Sequence, residues 1–105
     1  MTEGTRGRMF AGLLLADLRF PGCLTLKDRR GILCSMLDRL RNLGFSASQT
    51  GPADLPGRAW VACSCACRTA AAADRMLDSA EAVLDRPDVD QASVERRTIL
   101  FDPEG

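Results

Sequence analysis

The chain has 105 residues, enough for one domain with its own core. Its 46% hydrophobic and 27% charged content fits a soluble globular protein, and its net charge of zero removes any global attraction to nucleic acid or an anionic membrane. It contains no histidine, which excludes His-based general bases, Ser-His and Cys-His nucleophiles, and every His-containing metal site.

The charge is nevertheless uneven. Residues 1–58 carry nine Lys/Arg and five Asp/Glu and residues 59–105 the reverse, so a basic surface is available in the first half. Residues 1–8, MTEGTRGR, are polar and read as a flexible extension. The apolar run that follows is not a signal peptide: Asp17 and Arg19 interrupt it and no A-x-A site follows. No segment approaches the ~20 apolar residues of a membrane span, so a cytoplasmic protein without a membrane partner is expected.

Met9 to Phe20 alternates as a strand, with Gly12, Leu14, Ala16, Leu18 and Phe20 on one face and Ala11, Leu13, Leu15, Asp17 and Arg19 on the other. Pro21-Gly22 ends it. Thr25 is an N-cap, with Asp28 three residues on as in a capping box, and a helix runs to about Asn42 with Gly44 at C′. Its apolar stripe is Leu26, Leu33, Met36, Leu37, Leu40 and Leu43. FSASQT is a short strand and GPADLPG a loop. RAWVACSCAC is a second clear strand, with Ala59, Val61, Cys63 and Cys65 inward. Thr69 caps a helix from Ala70 to about Arg86, with Ala73, Leu77, Ala80 and Leu84 inward, an acidic outer side of Asp74, Asp78, Glu81 and Asp85, and Pro87 as its stop. The last strand lies within Ala92 to Phe101. Its facing is ambiguous, because Val94 supports one parity and Ile99 and Phe101 the other.

The order βαββαβ predicts an α+β, ferredoxin-like domain over residues 9–101: a four-stranded antiparallel sheet, order 4-1-3-2, with both helices on one face and residues 102–105 as a tail. The uncovered sheet face then carries Leu13, Leu15, Trp60, Ala11 and Ala62. A monomer rarely leaves such a patch bare, so Leu13, Leu15 and Trp60 are candidate interface residues and a homodimer is expected.

Cys63, Cys65 and Cys67 stand at i, i+2 and i+4, on one strand face, roughly 6.5–7 Å apart. One strand does not converge three ligands to the ~2.3 Å a metal needs, and neighbouring pairs fit disulfide geometry poorly. An odd cysteine count without CxxC points to a reducing compartment. The cysteines therefore read as small core side chains, and no metal or cofactor is expected.

The first helix raises a different question. Lys27, Arg29 and Arg30 crowd an N-terminus that is already positive. At about 100° per residue, Lys27, Arg30 and Arg41 share one shoulder of the helix, and Arg29 falls inside the apolar arc with its guanidinium reaching past the end of the sheet. A phosphate bound between helix N–H groups and these cations would reconcile them, which makes Lys27, Arg29, Arg30 and Arg41 candidate anion- or RNA-binding residues. The competing reading is solvated charge, with Arg30 paired to Asp28 or Asp17 and Asp38 to Arg41.

The segment LADLRFPGCLTLKDRRGILCSMLDRLRNLGFSAS resembles the YlxP-like family, small bacterial proteins of unknown function with a ferredoxin-like fold. The resemblance continues through DLPGRAWVA and ADRMLDSAEAVLDRPDV and covers about residues 9–100; Pro21, Gly22, Thr25, Leu26, Lys27, Asp28, Arg29 and Arg30 are its most specific part. Such proteins are often encoded beside translation-initiation and ribosome-maturation genes. The resemblance thus implies a role near ribosome assembly, with ribosomal RNA or assembly factors as partners. Two departures are a short loop at Gly51 to Ala53 and a tryptophan, Trp60, where the family more often has a polar residue. No enzyme reading survives: an acylphosphatase-like phosphate loop, the two or three stacking aromatics of an RNA-recognition sheet and a CxxC for copper transfer are all missing. The expectation is a non-enzymatic protein acting through the cationic helix stripe or through the open sheet face.

Overall fold

The computed structural model describes residues 7–104. The elements are β1 (Met9–Arg19), α1 (Leu26–Asn42), β2 (Ser46–Thr50), β3 (Arg58–Cys67), α2 (Ala70–Leu84) and β4 (Asp90–Phe101). The strands form one antiparallel sheet ordered β2-β3-β1-β4, the ferredoxin-like arrangement expected from the element order. The expected loose extension at residues 1–8 falls mostly on residues 1–6, outside the described residues; Gly7 and Arg8 are exposed.

Alternation decides which sheet face is covered. Leu14, Ala16, Leu18 and Phe20 from β1 and its end, with Ala59, Val61, Cys63 and Cys65 from β3, are buried beneath Leu33, Met36 and Leu40 of α1 and Leu77, Ala80 and Leu84 of α2. Fully burying a large apolar side chain contributes roughly 1.5–3 kcal/mol, so a one-residue slip of either central strand would forfeit several such terms at once. Gly12 lies on this face where α2 crosses β1. A Cβ there would sit 2.8 Å from the Cys65 sulfur and 3.3 Å from Leu77 Cγ, so the missing side chain sets how closely the layers approach.

The helix ends follow local chemistry. Thr25 accepts from the Asp28 N–H at 3.1 Å, and the Asp28 carboxylate accepts from the Thr25 and Leu24 N–H groups, each at 3.1 Å. These bonds hold the Asp28 carboxyl below the usual carboxylate range, the Leu24 N–H contributing most. Gly44, at φ +105°, provides the left-handed residue after α1. The second helix stops at Leu84 rather than near Arg86. Asp85 is already extended, and Arg86 precedes Pro87, which disfavours helical backbone.

The last strand begins two residues earlier than expected, and a bulge resolves its facing. Its pairing with β1 shifts between Asp17 and Leu18, which pair with Ser93 and Gln91 and leave Ala92 over. Val94, Arg96 and Thr98 consequently face the helices, whereas Glu95, Arg97, Ile99 and Phe101 lie on the open face with Leu13 and Leu15. The acidic side of α2 is correspondingly not all solvent-facing. Asp78 and Glu81 take the Arg96 guanidinium at 2.8 and 2.7 Å, and Asp74 accepts from the Thr98 hydroxyl.

Candidate functional site

The structure divides the first-helix cations by the company they keep. Arg29 is a correction to the expected anion-binding set: it is 5% exposed and does not reach out to solvent. Its guanidinium donates to the carbonyls of Leu55, Arg58 (2.6 Å) and Ala53 (3.1 Å), turned inward by the loop between β2 and β3. Three carbonyl dipoles surround the cation, which answers why a charge is tolerated at a positive helix end. No anion is needed there. Arg41 is also partly engaged, donating through Nη2 and Nε to Ala47 O at 2.9 and 3.2 Å and lying 3.6 Å from Asp38. Lys27 and Arg30 are exposed, and among the described residues neither makes an ion pair. The pairings considered for Arg30 are taken: Asp28 caps its helix and Asp17 belongs to Arg58.

The open sheet face is built from the alternate residues of all four strands. Antiparallel register brings Leu13 beside Ser64 and Arg97, and Leu15 beside Ala62 and Glu95, with Ser46, Ser48 and Thr50 of β2 beyond β3. Together they line a shallow groove of about 610 Å³. Leu13 and Leu15 form its floor at 40% and 44% exposure, with the serines along one side and Glu95 and Arg97 along the other. Ile99 and Phe101 continue the apolar surface along β4, at 43% and 58%. Among the described C-terminal residues, Pro103 lies against Gly7, just before β1.

Trp60 stands one cross-strand pair past Ala62, at the end of the groove. It is half-buried and its indole is occupied. Gly51 (φ +65°) presses so near that a Cβ would meet the ring at 3.0 Å, and the Arg58 guanidinium lies 4.2 Å from the ring centroid. Arg58 also makes a two-pronged pair with Asp17, at 2.8 and 3.0 Å. That pair holds the Asp17 carboxyl below its ordinary range, with Arg19 at 3.8 Å adding to it. Trp60 is thus the outer wall of an Asp17–Arg58–Trp60 stack rather than a free anchor. The sequence carries no signal joining Asp17 to the Arg58–Trp60 pair, since 41 residues separate Asp17 from Arg58.

The five cysteines are free thiols: Cys63 and Cys65 are buried, Cys23 and Cys67 intermediate, and Cys34 exposed. Burial pushes the Cys63 thiol up to about 11, so it is a neutral core group at physiological pH.

A comparison with family models matches residues 11–96 to the family described as "Protein of unknown function (DUF503)". A comparison with curated proteins gives no match.

Replacing Arg29 with Met keeps an apolar stem but leaves three carbonyls without their donor, so Arg29→Met is expected to cost about 2–4 kcal/mol. A shift of the denaturant midpoint at unchanged slope would show it, and a loss under about 1 kcal/mol would mean that water replaces the guanidinium. The acid limb tests Asp17. Its native pKa is lowered, so the stability it contributes is complete above about pH 4 and disappears as pH falls through the native value. Wild type should be more stable than Asp17→Asn near neutrality, and their thermal midpoints should converge on acidification below ~4. A gap constant with pH would contradict the assignment.

Proposed function

We propose that this chain, which belongs to the DUF503 family, is a non-enzymatic interaction module that self-associates by packing its open sheet face against that of a second copy. The observation that carries this reading is the pair Leu13 and Leu15, two-fifths exposed on the floor of a groove that no described segment covers. Ile99 and Phe101 extend the apolar area, and obligate partners bury surfaces of this kind. The charges favour a second copy over an unlike protein. Glu95 and Arg97 flank the leucines two residues apart, so a two-fold axis can set Glu95 of one copy against Arg97 of the other.

Leu13→Glu is the informative variant, because Leu13 is paired across strands with Arg97 and an acidic side chain there gains a partner within its own sheet. Light scattering should find a wild-type dimer at roughly tens of micromolar and a folded Leu13→Glu monomer. A monomeric wild type, or a variant that still dimerises, would overturn the proposal.

A second reading rests on Lys27 and Arg30, the two exposed helix-start cations without ion pairs among the described residues. The motif from Pro21 to Arg30 supports the finer YlxP-like assignment, and with it contact with ribosomal RNA or an assembly factor in the cytoplasm. On sucrose gradients the protein should then travel with a ribosomal subunit at low salt and leave it at high salt, and Lys27→Glu with Arg30→Glu should abolish co-migration. Protein remaining at the top of a low-salt gradient would remove this reading.

A further inference from the structure

β3 alone does not converge Cys63, Cys65 and Cys67 on one ion, but α2 brings up another sulfur. Cys67 Sγ lies 3.9 Å from Cys65 Sγ and 3.7 Å from Met76 Sδ. Sulfurs sharing one ion through bonds of about 2.3 Å lie roughly 3.7–4.0 Å apart, in trigonal or tetrahedral coordination. We propose that Cys65, Cys67 and Met76 form a binding site for Cu(I), held by two thiolates and a thioether.

The donor set selects the ion. Thiolate with thioether is the soft combination that favours Cu(I), while Mg²⁺ and Ca²⁺ require oxygen ligands and structural Zn²⁺ four nitrogen or sulfur ligands. Among the described residues no three His, Cys, Asp or Glu side chains gather, so a harder ion finds no site. Position fits as well. Cys67 and Met76 are only partly buried, at the end of β3 and on α2, and Cys65 is buried beside Cys67.

The surroundings leave room for these sulfurs. The space beside Cys65 Sγ exists because residue 12 is glycine, and the Met76 methyl lies near Gly44, where a Cβ would be 3.6 Å from it. In the free protein, burial and then the neighbouring Cys67 raise the Cys65 pKa, while the Gly12 N–H works the other way and favours the thiolate. Cys63 lies deeper on the same face and remains a core thiol. Binding is ligand exchange without oxidation: Cu⁺ replaces the protons of two thiols, the thioether loses nothing, copper stays at +1, and the site carries one net negative charge.

The test is an anaerobic titration of the reduced full-length protein with Cu(I) in competition with a chromogenic Cu(I) chelator. One Cu(I) should be withdrawn per chain with release of up to two protons, and X-ray absorption should show a shell of sulfur alone. Cys67→Ser should weaken binding by more than the roughly 10–100-fold that losing an outer-shell partner costs, and Met76→Leu by a smaller factor. Cys34→Ser, which removes the exposed thiol, should leave binding unchanged. Both test positions are partly buried at the edge of the core, and circular dichroism confirms that each variant is folded. The proposal is overturned if wild type fails to compete, if Cys67→Ser or Met76→Leu binds as wild type does, or if Cys34→Ser abolishes binding.

Discussion

The Arg29 guanidinium fastens the first turn of α1 to a loop and strand start that lie 24 to 29 residues further along the chain. Its stem belongs to the first turn of α1, and its donors reach the carbonyls of Ala53 and Leu55 in the β2–β3 loop and of Arg58 at the start of β3. The Phe20 N–H, donating to Gly57 O at 3.0 Å, adds the end of β1 to the same knot. Seven residues of loop, 51–57, are thereby held against the sheet without a secondary structure of their own. The open face depends on this indirectly. The loop presents Gly51 to Trp60 and leads into Arg58, so the polar stack closing one end of the groove has its backbone fixed by the clamp.

This arrangement also explains how much could be read in advance. The capping box of Thr25 and Asp28 was legible because every partner lies within four residues. The facing of β1 and β3 was legible because each is a single long strand whose burial alternates along most of its length. Arg29 was half legible: its angle inside the apolar arc was correct, but its acceptors lie 24 to 29 residues away and are backbone atoms, which no side-chain pattern advertises. The facing of β4 was not legible, since the bulge at Ala92 reconciles a buried Val89 with an inward Val94 of opposite parity. Met76 did carry a signal. It stands three residues after Ala73 and four before Ala80 on the inward stripe of α2, although only the tertiary fold places its sulfur by Cys67.

The sites the chain offers are therefore not those that composition alone would rank first. Of the four candidate cations on α1, Arg29 and Arg41 donate to the protein's own carbonyls, which leaves Lys27 and Arg30 as the two without a side-chain partner among the described residues. The apolar face gained instead: the register of β4 adds Ile99 and Phe101 to Leu13 and Leu15. The cysteines divide in a similar way, Cys63 being core material and Cys65 and Cys67 lying within reach of a second element.

The two borders of the sheet are unequal, and this bears on how copies could add strands to one another. The β2 border is five residues long, with Arg41 lodged against its Ala47 carbonyl. The β4 border runs twelve residues and ends in Ile99, Leu100 and Phe101, all substantially exposed. Open-ended growth of a sheet requires two competent borders on each molecule, so that every added copy presents a fresh one. Here a strand joined to β4 finds only another β4 able to match its length. Sheet extension through β4 would therefore close at two copies rather than continue as a fibre.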